Sequence, residues 1–175
     1  MRRISGYVGW SAAICLMVSL AACGYKVQSS VKKLPSGIQS IGIPTFNNAT
    51  SQYRIEQRIT SAVLKEFSER TSIPVNSKST GVDAVLQGDI RAISQSPVTY
   101  AVDAYGSAFV VTVQVAVKLV RTSDLSVLWE NPNFLFTERY VLTSKVTDYF
   151  SQEGPALDRL SRDFAASLAS TVLSR

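Results

Sequence analysis

Apolar residues along this chain recur with two different periods, and the switch between them marks out the elements. Ile55, Ile59, Ala62, Val63 and Phe67 fall at helical spacing, with Arg54, Arg58, Lys65, Glu66 and Glu69 mostly off that stripe. The pattern predicts an amphipathic helix from near Thr50 or Ser51 to about Arg70, entered through the turn- and cap-forming stretch "FNNATS". A second helical stripe runs through Leu157, Leu160, Phe164, Leu168 and Val172. Its start is expected near Gly154-Pro155, because proline suits a first helical turn. Asp158 lies early in that run and Arg175 at its end, both favourable for the helix dipole.

Between the helices the period drops to two. Ile38–Ile43 reads as a short strand stopped by Pro44. "TSIPVN" breaks the first helix, and "VNSKSTG" reads as an edge segment or loop. Asp83–Ile93 is a strand with Ala84, Leu86, Gly88, Ile90 and Ala92 on one face and Val85, Gln87, Asp89, Arg91 and Ile93 on the other. A loop or hairpin is expected through Pro97, Tyr100, Asp103 and Gly106. Ala108–Thr122 is the longest strand, with Phe109, Val111, Val113, Val115, Val117 and Leu119 as an unbroken apolar face. At full extension it spans about 45–50 Å. Val127–Leu142 is the last strand, and Pro132 within it argues for a bulge or an edge position. The predicted fold is α+β, in the order β-α-β-β-β-α. Two amphipathic helices cover one face of a four-stranded mixed sheet, a two-layer sandwich.

The N-terminus follows another logic. Arg2 and Arg3 precede a mostly apolar run from about Val8 to Ala22, which ends in the small residues Ala21 and Ala22. At about 15 residues the run is shorter than the roughly 20 needed to span a bilayer, and its layout is that of a secretory signal. Leu20-Ala21-Ala22-Cys23 resembles the lipobox of bacterial lipoproteins. That resemblance implies cleavage between Ala22 and Cys23, a diacylglycerol on the Cys23 thiol and an acyl chain on its new amine. Residues 1–22 are then a signal peptide, 23–37 a lipidated tether and 38–175 a single domain. Cys15 leaves with the signal, so the mature chain would hold no free thiol. Position two of the mature chain is Gly24 rather than the aspartate that retains lipoproteins at the inner membrane, which points to the outer membrane.

The formal charge of +5 falls by two when Arg2 and Arg3 are removed. That leaves a mildly basic domain, far short of a nucleic-acid-binding stripe. The chain contains no histidine. This excludes a Ser-His triad and any imidazole base or metal ligand. No G-x-S-x-G, P-loop or dinucleotide fingerprint occurs. Glu153, Asp158 and Asp163 sit close in sequence, but Arg159 and Arg162 lie among them, as in a charge lattice on a helix surface. The expectation is no enzyme, no metal and no cofactor beyond the lipid on Cys23. Arg91, Lys118, Arg121, Arg139 and Lys145 fall on strands or strand ends, and are candidate contacts to lipid phosphates.

Several stretches taken together carry a family resemblance: "CGYKV", "LPSGIQSIGIPTFNNAT", "YRIEQRITSAVLKEFSER", "DAVLQGDI", "VLWENPNF" and "FSQEGPALDRLSRDFAASLASTVL". Their order and spacing resemble the lipopolysaccharide-assembly lipoprotein family LptE across the whole mature chain. The resemblance implies the same helix-and-sheet sandwich, seated inside the large β-barrel of a partner, LptD, at the outer membrane. It implies a plug and assembly aid that binds lipopolysaccharide and helps place it in the outer leaflet without catalysis. Only Cys23 is carried over from the family as a site residue. A lipoprotein adaptor or pilot for another envelope secretion machine would suit the anchor and the polar sheet face equally.

Overall fold

The computed structural model describes residue 34 and residues 37–100, 106–141 and 148–174. The signal segment, Ala22, Cys23, most of the tether and Lys145 lie outside the described residues. The elements are β1 (Ile41–Gly42), β2 (Asn47–Asn48), α1 (Ile55–Arg70), β3 (Val75–Asn76), β4 (Ala84–Tyr100), β5 (Gly106–Arg121), β6 (Val127–Val141) and α2 (Asp148–Leu173).

The strands form one six-stranded mixed sheet in the order β3-β1-β4-β5-β6, with β2 also paired to β4. Four strands were expected, and two short segments account for the difference. The first predicted strand, Ile38–Ile43, narrows to β1 and stops before Pro44, which has no N–H to give to a ladder, and β2 forms beyond it in the stretch "FNNATS" read as turn and cap. Both pair with β4 in parallel, Ile41 opposite Ala84 and Asn47 opposite Asp89. The Val75–Asn76 stretch, read as an edge segment or loop, pairs in parallel with β1 and forms the sheet edge. The remaining pairs, β4–β5 and β5–β6, are antiparallel.

The longest strand is β4, not β5, because β4 runs on to Tyr100 through what was expected to be loop. Pro97 is tolerated there because, among the described residues, β4 pairs only with β5 beyond the β2 contact at Ile90 and its register shifts between Pro97 and Thr99, an edge-like stretch with an irregularity that suits proline. A bulge at Arg91 also corrects the predicted facing. Ile90 stands opposite Val115, Ala92 opposite Gln114 and Ile93 opposite Val113. The extra residue flips the alternation, so Ile93 turns toward the core and Ala92 is exposed. Pro132 does mark a bulge, between the pairs Val115–Phe134 and Val117–Asn131.

The helices differ from expectation only at their starts. α1 begins at Ile55, later than Thr50, because Asn48 organises the entry loop. Its amide donates to the Gln52 carbonyl (3.0 Å) and to Glu56 Oε2 (2.9 Å), while its oxygen accepts from the Thr50 N–H and hydroxyl. α2 begins at Asp148, so Pro155 lies inside the helix rather than in its first turn.

Both helices run the same way. α1 returns the chain between the parallel strands β1 and β3, and α2 follows β6, which points as β1 does. Consistent with this, Arg58 in the first turn of α1 pairs with Asp158 and donates to the Gly154 carbonyl. The buried stripes Ile55, Ile59, Val63 and Phe67 of α1 and Leu157, Leu160, Phe164 and Leu168 of α2 join Leu86, Ile90 and the valines of β5 in one core. Phe164 meets Phe134 and Phe136 edge-on, with ring centres 5.4 and 6.5 Å apart.

Among the described residues the opposite face of the sheet is uncovered except at one corner. There a β-carbon on Gly42 would stand 2.3 Å from the Lys78 carbonyl oxygen and 3.0 Å from Val82 Cγ2. The segment joining β3 to β4 therefore crosses closely over β1, and only glycine leaves it room. Val85, paired with Gly42, is buried beneath this cover.

Candidate ligand-facing surface of the sheet

The open face is built by alternate residues of β4, β5 and β6. Along β5 it shows Val110, Thr112, Gln114, Ala116 and Lys118, while Val111, Val113, Val115 and Val117 point to the core. β6 contributes Glu130 opposite Lys118, Leu135 opposite Gln114, Thr137 opposite Thr112 and Arg139 opposite Val110. Gln87, Asp89, Ala92, Ser94 and Ser96 complete it from β4.

Three of the predicted phosphate-binding residues reach this face. Lys118 sits on the central strand between Gln87 and Glu130 and makes no ion pair among the described residues. Arg139 is exposed on β6, equally without an ion pair among the described residues. Arg91 is exposed at the β4 bulge, and its Nη1 reaches across β5 to donate to the Pro132 carbonyl, 3.2 Å away. The neighbouring Gln114 amide donates to Asn133 Oδ1 at 2.8 Å. The two bulges thus lie at the same level and are tied together over β5.

The cations form a spread diagonal, not a tight cluster. Lys118 and Val110, the β5 residue opposite Arg139, lie about 26 Å apart along the strand, with Arg91 between them. Asp89 and Glu130 share the lower half of the face, so its charge is mixed. Its upper half carries only hydroxyls, amides and aliphatic side chains around Arg139. Leu135 is 56 % exposed and Val141 60 %.

Arg121 lies elsewhere, at the end of β5. It lines an open cleft of ≈ 370 Å³ with Gly37, Ile38, Val82, Asp83, Thr122 and Ser123. Asp83 braces one wall. Its Oδ2 accepts from the Gln39 N–H (2.9 Å) and the Ser40 hydroxyl (3.0 Å), and Ser40 Oγ in turn accepts from the Asp83 N–H (3.0 Å). The Gln39 N–H and then the Ser40 hydroxyl hold the Asp83 carboxyl below its ordinary value. Asp124, in the next turn, is lowered by the Ser126 hydroxyl and N–H and by Arg121.

Two of the three acidic residues read as a charge lattice are held by residues outside α2. Glu153 accepts from the Gln52 amide at 3.3 Å, and Asp158 pairs with Arg58. Arg159 pairs with none of the three. It crosses to Glu138 of β6 at 2.7 Å, binding α2 to the sheet. Long-range partners of this kind leave no trace in helical spacing, and neither do the Asp83 brace or the Asn48 loop. Among the described residues no group of three or more His, Cys, Asp or Glu side chains could hold a metal ion. Among the described residues no helix is long and apolar enough to cross a membrane.

The family model "LptE: Lipopolysaccharide-assembly" matches residues 38–173. No curated protein sequence matches the chain. Several solved structures share the fold. A solution structure of uncharacterized lipoprotein B from Nitrosomonas europaea is 16 % identical, with a TM-score of 0.58 over 86 % of this chain and 91 % of that one. A Xanthomonas campestris protein is 15 % identical, with a TM-score of 0.57 over 81 % and 87 %. The PelC dodecamer from Paraburkholderia phytofirmans is 14 % identical, with a TM-score of 0.50 over 78 % and 89 %. At these identities the likeness is one of fold.

Proposed function

This chain belongs to the LptE lipopolysaccharide-assembly family, and from that premise we propose that it is an outer-membrane lipoprotein, anchored through Cys23, that works in complex with an LptD-like β-barrel. It binds lipopolysaccharide and helps deliver it to the outer leaflet. The observation that carries this reading is the family match, which begins just before β1 and takes in both helices and every strand. No bond is made or broken in the proposed role. The work is positioning of a large anionic amphiphile.

The open sheet face fits that role. Lys118 and Arg139, without ion pairs among the described residues, offer their charges to lipid phosphates, and Arg91 is held over the sheet by the Pro132 carbonyl through one of its several N–H groups. Lys145 belongs to the same proposed set. Cations in these places compete with the divalent ions that bridge neighbouring lipopolysaccharide molecules. The upper half, where Leu135 and Val141 are exposed on the same strand as Arg139, offers apolar contact to a barrel wall or to acyl chains. Depletion of the protein tests the reading. Lipopolysaccharide should accumulate behind the outer membrane and fall at the cell surface. Unchanged surface lipopolysaccharide would refute it.

A further inference from the structure

We infer that two copies of this chain pair through the outer edge of β6, antiparallel across a two-fold axis at Thr137, when the protein is outside the barrel complex. β6 ends the strand order, and among the described residues no strand pairs with its outer side. A strand edge carries unpaired N–H and C=O groups, and it templates another strand unless something blunts it. The other edge stretches among the described residues are blunted. β2 and β3 are two residues long each. β4 beyond Ile90 carries Pro97 and register shifts on both sides of Thr99. The lower part of β6 carries Pro132 and its bulge. Phe134–Val141 has none of these devices. It pairs residue by residue with Val115 to Ala108 of β5, and it contains no proline, glycine or lysine. Side chains mark the same stretch as unfinished. Val111, Val113 and Val115 of the central strand are at most 2 % exposed. Phe134 and Phe136 point to the same side of the sheet but are only partly buried. Phe164 meets both rings from above. A strand laid along the edge would complete the ladder and cover the rest of the two rings.

The occupant is a second copy because the stretch is complementary to itself. Pairing of one edge with its own copy is isologous, so a residue on the two-fold axis faces itself. With Thr137 on the axis, Phe134 stands opposite Tyr140, Leu135 opposite Arg139, Phe136 opposite Glu138, and threonine opposite threonine. Aromatic pairs and threonine pairs are both favourable across strands. Each Glu138 keeps its own Arg159 as ion-pair partner. An axis at Glu138 or Arg139 would set like charges directly opposite each other, which is destabilising. An axis at Leu135 or Phe136 would draw Pro132 and its bulge into the new ladder. The Thr137 register avoids both faults. The axis runs perpendicular to the sheet, so the two sheets become continuous, with the helices of both copies on one side and both open faces on the other. The pairing goes beyond the proposed role and does not rest on it.

The test is sedimentation equilibrium of the purified full chain in density-matched neutral detergent, free of any barrel protein. The parent should show a reversible equilibrium between monomer and dimer. Thr137 is exposed on the open face, so Thr137→Lys and Thr137→Asp should both keep the fold, which circular dichroism checks. Each variant alone places like charges on the axis, and should stay monomeric at concentrations at least about tenfold above the parent's midpoint. Mixed in equal amounts, the lysine and aspartate variants should form a heterodimer, because opposite charges then meet on the axis. A monomeric parent overturns the inference. A dimer that survives both substitutions overturns it too, since the contact then lies on another surface. A mixture that stays monomeric rules out the Thr137 axis and with it the inferred pairing. None of these results alters the family role, which capture of the barrel partner tests separately.

Discussion

The ring of Phe46 fills the place where a side chain on Gly88 would stand. A β-carbon there would lie 2.3 Å from Phe46 Cδ2. Phe46 is buried, and its N–H donates to the buried Thr60 hydroxyl at 3.0 Å. The loop between β1 and β2 is thereby locked between β4 and α1. Gly88→Ala must displace the ring, and should lower stability by about 1–3 kcal/mol, read from the urea midpoint. Adding Phe46→Leu should recover part of that loss. If Gly88→Ala matches the parent, the close approach is not a constraint.

The Asp83 brace predicts an acid-sensitive fold. Its folded-state pKa is depressed by the Gln39 N–H and the Ser40 hydroxyl. The stability it contributes is therefore present above the unfolded value near 3.8 and is lost as pH falls through the folded value. Asp124 acts in the same direction. Urea midpoints should be flat from pH 7 to about 5 and decline below about 4. Asp83→Asn should lower the midpoint at pH 7 and make the acid decline shallower. An unchanged acid slope in that variant would mean the brace is not coupled to folding.

The sequence was legible where a local pattern decides the structure. The stripes Ile55–Phe67 and Leu157–Val172 became buried helix faces, and the valines of β5 became the sheet's inner face. Pro44 and Pro132 marked an interruption and a bulge, because a missing N–H acts on the residue itself. Illegible features depend on partners distant in sequence. Nothing around Arg91 signals that an extra residue is accommodated there, since the bulge is defined against Gln114 and Val115 of the next strand. The short strands β2 and β3 exist only because β4 and β1 are there to pair with them. Among candidate site residues, type and strand position placed Lys118 and Arg139 on the open face. They did not separate Arg121, whose surroundings come from Gly37 and Val82, far away in the chain.

Glu138 and Arg159 join β6 to α2 at 2.7 Å, with the Glu138 side chain 19 % exposed. A double-mutant cycle with Glu138→Gln and Arg159→Met should give a coupling of about 0.5–1 kcal/mol. Each single change should weaken the docking of α2 more than it affects α1, visible as faster amide exchange in α2. A coupling of zero would reduce the pair to a surface contact.

The open-face cations predict graded effects on lipopolysaccharide binding. Lys118→Glu and Arg139→Glu should each weaken binding of the purified protein by about three- to tenfold, with little change in stability. Arg91→Glu should weaken binding and also lower the melting temperature, because it breaks the tie to Pro132. Unaltered affinity in Lys118→Glu and Arg139→Glu would remove this face from the binding site.

The central claim concerns the partner, and native purification tests it most directly. The lipoprotein carrying a C-terminal affinity tag is captured from membranes in mild detergent at native expression levels. The account predicts a large outer-membrane barrel of the LptD type, recovered in near one-to-one ratio, with lipopolysaccharide in the complex. Recovery without any barrel, or with the pore of a different secretion machine, would contradict it.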